Sequence, residues 1–278
     1  MKIHYTSAGI LLEQDGTFSL ETSLSWDELI NHRQLGQYLL RRHAELPRYA
    51  DAARLLDTAL LPPMQTQELW CAGVTYLRSK VERQEESKAA GGGDFYQRVY
   101  EAARPELFFK AARHRVVGHG GKVRIRADST WNVPEPELAL VLNSRGEIVG
   151  YTIGNDMSSR SIEGENPLYI PQAKTYDGCA ALGPCVYVTD GAFPGDATIR
   201  LNIARGGSEI FSGTITVDRI TRTFADLAGY LFRECSFPHG AVLMTGTGIV
   251  PPSPFTLQSG DAIVIAIDHI GTLSNTVA

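Results

Sequence analysis

The sequence predicts an α+β fold rich in strands. Three observations carry this. The 278 residues include 27 glycines and 14 prolines, the residue types that make tight turns. Helical periodicity is confined to a few stretches in the first hundred residues and one near the C-terminus. From residue 107 onward, short apolar runs alternate with Gly, Pro, Asn and Asp, the pattern of strands between turns. Hydrophobic residues make up 43% of the chain and charged residues 21%, so a sizeable core can form without a disulfide or metal. At about 150 residues per domain, the length suits one large domain and a small one.

The elements follow in order. Ile3–Tyr5 and Gly9–Leu12 are strand-like, Asp15-Gly16 is a turn signal, and Thr17–Leu20 alternates. Ser25-Trp26-Asp27-Glu28 fits a capping box and opens a helix to about Leu40, carried by Leu29, Ile30, Leu35, Leu39 and Leu40. A second short helix covers 49–59, and Leu61-Pro62-Pro63 ends it. We place a domain boundary near residue 66, giving a small α+β N-terminal domain over 1–66 and a larger domain over 67–278. Glu68–Gly73 reads as a strand and Tyr76–Ala90 as a charged helix. Gly91-Gly92-Gly93 is either a plain loop or the hinge of a lid. Thr221–Cys235 is an amphipathic helix marked by Phe224, Leu227, Ala228, Leu231 and Phe232. Two strands, near Ala241–Met244 and Asp261–Ile267, complete the chain.

Composition also excludes partners. With 26 basic and 31 acidic residues the formal charge is -5, a balance that disfavours nucleic acid and anionic membranes. No apolar run reaches a membrane span or a signal peptide, so the expected location is cytoplasmic. Cys71, Cys179, Cys185 and Cys235 are scattered without zinc-site spacing, as reduced thiols are.

The chemistry begins at Glu135-Pro136-Glu137. Residues two apart in an extended chain share a face, and Pro136 places this segment at a strand end or edge. A turn centred on Arg145-Gly146 would set Glu135 opposite Asp156, with Glu137 one pleat along the same face. Three carboxylates so close repel unless a cation or proton intervenes. Two readings fit: a site for a hard cation such as Mg²⁺, Mn²⁺ or Ca²⁺, or solvated carboxylates on an exposed face. Lys174 is either a surface lysine or, beside a divalent cation, a proton shuttle. Thr245-Gly246-Thr247-Gly248 is either a structural turn or a cradle for a carboxylate.

Taken together these motifs resemble the fumarylacetoacetate hydrolase family. The resemblance rests on Glu135-Pro136-Glu137, Gly154-Asn155-Asp156 with Ser158-Ser159-Arg160, Lys174 with Asp177, Gly183-Pro184, Thr245 to Gly248, and the ending from Gly260-Asp261 to Asn275. It covers residues 67–278. It implies a mixed β-roll catalytic domain, Mg²⁺ or Mn²⁺ held by Glu135, Glu137 and Asp156, a small-molecule 2-oxo acid chelating that metal, and a homodimer or dimer of dimers.

One segment discriminates among the reactions of the family. Hydrolase and decarboxylase members typically carry Asn-Tyr, a His three positions on and a Glu three further, a pair that activates water. Here the corresponding residues are Thr75, Tyr76, Ser79 and Glu82. The missing His, and the segment Arg160–Lys174, resemble the branch that dehydrates 2-keto-3-deoxy-pentonates, of the D-arabinonate or D-xylonate type, to 2,5-dioxopentanoate. The implied route removes a C3 proton, with Lys174 as base, to give a metal-bound enolate that expels the C4 hydroxyl. Thr247 would steady the substrate carboxylate, and Arg78, Ser79 and Arg160 would address the hydroxyl tail of the sugar acid. Lys110 matches a family position near the pocket, or forms a structural salt bridge. The competing reading is an acylpyruvate hydrolase or oxaloacetate decarboxylase with a displaced base.

Overall fold

The computed structural model describes residues 1–77 and 93–278. Arg78, Ser79, Glu82, most of the expected Tyr76–Ala90 helix, and Gly91-Gly92 of the expected hinge lie outside the described residues; Gly93 opens a helix, Gly93–Glu101.

The chain begins with a meander of β1 (Lys2–Thr6), β2 (Gly9–Gln14) and β3 (Thr17–Glu21). Asp15 and Gly16 both take positive φ, 48° and 73°, the two-residue turn whose twist matches a hairpin. The capping box forms: the Ser25 side chain accepts from the Glu28 amide, and the Ser25 amide donates to Glu28 Oε2 at 2.8 Å. The helix then stops early. Two helices, Trp26–Ile30 and Leu35–Glu45, replace the single one expected to Leu40. Asn31 caps the first and turns the chain outward. Its Nδ2 donates to the carbonyls of Asp27 and His239, and its Oδ1 accepts from the Ser144 amide. Periodicity cannot report His239 and Ser144, which lie more than a hundred residues away. The third helix is Ala52–Thr58.

The later strands are β4 (Glu68–Gly73), β5 (Glu106–Ala112), β6 (Val116–Val117), β7 (Lys122–Val123), β8 (Asn132–Val133), β9 (Pro136–Leu142), β10 (Ile148–Asp156), β11 (Ser158–Ser159), β12 (Ala180–Tyr187), β13 (Thr198–Arg205), β14 (Ser208–Thr216), β15 (Ala241–Met244), β16 (Ala262–Ile267) and β17 (Gly271–Val277). The last forty residues therefore hold a third strand, β17, beyond the two expected. Its polar alternation, Gly-Thr-Leu-Ser-Asn-Thr-Val, hides it, because only Leu273, Asn275 and Val277 point inward. The helix expected at Thr221–Cys235 is Phe224–Leu231, capped by Thr223.

A ten-stranded sheet runs β3-β2-β1-β12-β10-β9-β15-β4-β5, with β6 added beside β12. A five-stranded sheet, β14-β13-β16-β17-β7, packs across it. Leu138, Leu140 and Ile153 of the first sheet meet Ile199, Leu201, Ile263, Ile265 and Leu273 of the second in one buried cluster. All seven residues of β9 are buried. Its opposite face carries Val141 into a cluster with Ile3, Ile10 and Trp26, and Ala139 into one with Leu69 and Met244. A strand covered on both faces reads as a continuous apolar run, and Leu138–Leu142 is such a run. The architecture is α+β and β-rich.

The β9–β10 hairpin reaches the expected register by an unexpected route. Glu135 and Asp156 exchange both backbone hydrogen bonds, at 3.2 and 2.9 Å, so they are directly opposed. The turn, however, centres on Arg145 alone: Asn143 pairs with Glu147, and Gly146 sits at φ 78°. That loop by itself would place Glu135 opposite Asn155. A bulge at Val149, between the pairs Ile148–Leu142 and Gly150–Val141, adds the residue that restores the pairing.

Candidate active site and metal centre

The site lies at the ends of four interior strands of the large sheet. β4 and β15 are parallel neighbours and both end there. β9 is antiparallel to β15 and begins there, and β10 is antiparallel to β9 and ends there. Four strand ends thus deliver Gly73-Val74, Thr245-Gly246-Thr247, Glu135 with Glu137, and Asp156. All of these but Thr245 line a small cleft together with Ala72, Phe108, Arg160 and Lys174.

Glu135, Glu137 and Asp156 are all buried, and one carboxylate oxygen from each lies within 4.8 Å of the others. This excludes the reading of solvated carboxylates on an exposed face. The donors are all hard oxygens, which fit Mg²⁺ or Mn²⁺. Burial, and then repulsion from Asp156 and Glu135, push the Glu137 carboxyl well above the usual carboxylate range. Such a group favours a proton or a cation close by. The Gly246 amide donates to Glu137 Oε2 at 2.5 Å.

Three buried cations answer the carboxylates. Lys174 Nζ donates to Glu135 Oε2 at 2.7 Å, to Asp156 Oδ2 at 2.9 Å and to Ser158 Oγ at 2.5 Å. It also lies 3.2 Å from Glu163 Oε1. Arg160 Nη2 donates to Glu135 Oε1 at 2.6 Å, and its Nε lies 3.7 Å from Glu163 Oε2. Lys110, on β5, sits beneath the cleft with its Nζ 2.5 Å from Asp156 Oδ1 and donates to the carbonyls of Met157 and Lys174. Burial works most strongly against the Lys110 ammonium, but Asp156 together with Cys179 and Tyr176 offsets it and holds its pKa above the ordinary lysine range.

Thr247 lines the cleft, its hydroxyl bonded within its own turn to Ile249. Sequence reasoning named Ser158 only as part of the family motif and gave neither it nor Glu163 a role. Ser158 lies two residues past Asp156, where extended chain returns to the same side. Glu163 lies three residues past Arg160 in the helix Arg160–Glu165, a spacing that puts both on one face. All seven histidines are described residues, and none lines the cleft.

The model of the fumarylacetoacetate (FAA) hydrolase C-terminal family matches residues 68–278. The chain belongs to that family. Among the curated members, a probable 2-keto-3-deoxyxylonate dehydratase of Haloferax volcanii is 48% identical over 240 residues, 85% of this chain and 82% of the relative. A 2-dehydro-3-deoxy-D-arabinonate dehydratase of Saccharolobus solfataricus is 42% identical over 223 residues, 80% of this chain and 75% of the relative. A solved family structure, 2-keto-3-deoxy-D-arabinonate dehydratase complexed with magnesium and 2,5-dioxopentanoate, superimposes with a TM-score of 0.83 at 34% identity, covering 100% of this chain and 98% of that one.

Proposed function

We propose that this protein is a magnesium-dependent hydro-lyase that dehydrates a 2-keto-3-deoxy-pentonate, of the D-xylonate or D-arabinonate type, to 2,5-dioxopentanoate. One observation carries the reading: a buried Glu135–Glu137–Asp156 triad with the Lys174 ammonium against it, in a cleft where none of the described lining residues is a histidine. The names of the two curated relatives and of the magnesium complex support the substrate class.

Glu135, Glu137 and Asp156 hold the cation. When bound, Mg²⁺ supplies Lewis acidity toward the carboxylate and 2-oxo oxygens of the substrate and so acidifies C3. Lys174 takes a C3 proton, and the electron pair of that bond becomes the enolate. The enolate expels the C4 hydroxyl, which leaves as water once protonated. Loss of a C5 proton, return of a proton to C3 and tautomerisation then give the C5 aldehyde. Glu163, 3.2 Å from Lys174 Nζ, is placed to exchange protons with it. Thr247 and Arg160, both on the cleft wall, take the carboxylate and the hydroxyl tail, with Arg78 and Ser79 assigned to the same tail. Lys110 serves by holding Asp156 and the Lys174 backbone in place. Water need not attack carbon in this sequence, which fits a cleft without a lining histidine better than an acylpyruvate hydrolase or oxaloacetate decarboxylase does.

The division at residue 66 belongs to the same reading and is supported by the family match over 68–278; β1 joins the two parts through β12. A cytoplasmic homodimer or dimer of dimers completes it. The free cysteines suit a reducing compartment, and among the described residues no helix is long and apolar enough to cross a membrane. The exposed Leu168 and Tyr169, beside the helix that carries Lys174, suit a subunit contact.

The test is incubation of the purified protein and Mg²⁺ with both 2-keto-3-deoxy-pentonate epimers. Formation of 2,5-dioxopentanoate, detected by coupled oxidation of its aldehyde, is expected. Inertness toward both epimers, with CO₂ from oxaloacetate or two acids from an acylpyruvate, would overturn the assignment.

A further inference from the structure

Val74 and Thr75 connect the end of β4 to the cleft, and Val74 takes φ 54°. A β-branched residue in the left-handed region is a true outlier, and such strain persists only where its surroundings over-determine it. Here the surroundings grip Thr75, which is fully buried. Its carbonyl accepts from the amide and the hydroxyl of Thr221, at 2.9 and 2.8 Å. Its own hydroxyl donates to the Thr245 carbonyl at 2.6 Å.

That carbonyl and the Gly246 amide belong to one peptide unit. In a trans peptide the C=O and N–H point in opposite directions. The Thr75 hydroxyl therefore holds one end of the plane while the other end presents its N–H to Glu137 Oε2. A hydrogen bond to the carbonyl also polarises the unit and strengthens the opposite donor. The Thr245 amide and hydroxyl anchor that side of the peptide to the Leu138 carbonyl, at 3.0 and 2.9 Å, while Gly246, at φ 94°, is the soft side. A Cβ at Gly246 would collide with Thr75 Oγ1 and lie 3.0 Å from the Ala72 carbonyl, so the two residues are fitted to each other.

We propose that Thr75 is a positioning residue for the metal centre: through the Thr245–Gly246 peptide, its hydroxyl aims the Glu137 carboxylate at the cation. The inference rests on the triad being the metal centre. It concerns a position the reaction does not touch, since Thr75 acts only through the peptide and the carboxylate beyond it.

The experiment measures Mn²⁺ dissociation constants by electron paramagnetic resonance for the wild-type protein and for Thr75→Val and Thr75→Ser, with melting temperatures alongside. Loss of an outer partner of a metal ligand typically weakens affinity about 10- to 100-fold. Thr75→Val, which keeps the shape but loses the donor, is expected to weaken Mn²⁺ binding at least about tenfold. Thr75→Ser, which keeps the donor, is expected to stay within a few-fold of wild type. Equal affinity in all three proteins overturns the inference while leaving the triad intact, whereas a wild-type protein that binds no Mn²⁺ overturns the triad itself. If Thr75→Val does not fold, Thr75→Cys, a weaker donor of similar size, replaces it with the same expected direction. A folded Thr75→Ser that loses affinity as far as the valine or cysteine variant also overturns it.

Discussion

Lys174 Nζ meets four oxygen acceptors, two from Glu135 and Asp156 and two from Ser158 and Glu163. In the proposed centre the first two are cation ligands, so a bound divalent ion would compete with the lysine for them. The other two keep the ammonium in position. A base must give up its proton before it can take one, and the removal of two carboxylates from its surroundings favours that. Lys174→Met is expected to leave Mn²⁺ affinity within a few-fold of wild type. Exchange of the C3 hydrogens with solvent deuterium, followed by NMR, should slow by about 10²–10⁴, the usual contribution of a positioned general base. Undiminished exchange would assign the base elsewhere. Lys174 was legible as a residue of interest from its place in the motifs. Its four partners were not, because Ser158 and Glu163 gain meaning only when the helices Arg160–Glu165 and Ile170–Lys174 fold back over the strand ends.

At the level of elements, the β9–β10 hairpin does the assembling. Side chains alternate faces along a strand, so a one-residue slip sends a carboxylate to the opposite side. The turn around Arg145 sets one register and the Val149 bulge corrects it. Deleting Val149 removes the extra residue but leaves Val141 opposite Gly150 and Glu135 opposite Asp156, so it should keep Mn²⁺ binding, whereas inserting one alanine between Gly154 and Asn155 should turn Asp156 to the opposite face and abolish it. Titration of both variants with Mn²⁺ checks this; an insertion variant that binds as wild type does would show that the strand register does not set the face. Glu135 opposite Asp156 was expected from a turn centred on Arg145-Gly146; the turn centres on Arg145 alone, and the pairing holds because the bulge supplies the missing residue. The bulge was not legible, since nothing in Ile148-Val149-Gly150 distinguishes an extra residue from a paired one until β12 and β9 flank it. The helix break at Asn31 was hidden for the same reason: its side-chain partners at residues 144 and 239 come from distant chain.

For the molecule as a whole, a core of two packed sheets supports a charged centre that it would otherwise resist. Buried carboxylates cost free energy unless paired or bound to a cation. A cation that binds only the folded chain stabilises it by about 2.7 kcal/mol at a hundred times its dissociation constant. Mg²⁺ should therefore raise the melting temperature by several degrees, and a chelator should reverse the rise. Glu135→Ala should remove the response while the protein stays folded. An unchanged melting temperature in the wild-type protein across saturating Mg²⁺ and Mn²⁺ would count against the centre.

What the sequence by itself determined is what depends on short range. Alternation and turn residues specify strands, the Ser25 box specifies a helix start, and two glutamates around Pro136 specify a shared face. These need only neighbours, so the chemistry of Glu135, Glu137 and Asp156 could be read directly. Only the tertiary structure decided that the three are buried, that Lys110, Lys174 and Arg160 are their counter-charges, and that the Thr75 hydroxyl reaches Glu137 through the Thr245–Gly246 peptide. Those facts depend on β4, β5, β9, β10 and β15 lying side by side, although residues paired between β4 and β15, such as Cys71 and Met244, are 173 positions apart in the chain. Burial and charge pairing are properties of that juxtaposition, and no local pattern encodes them.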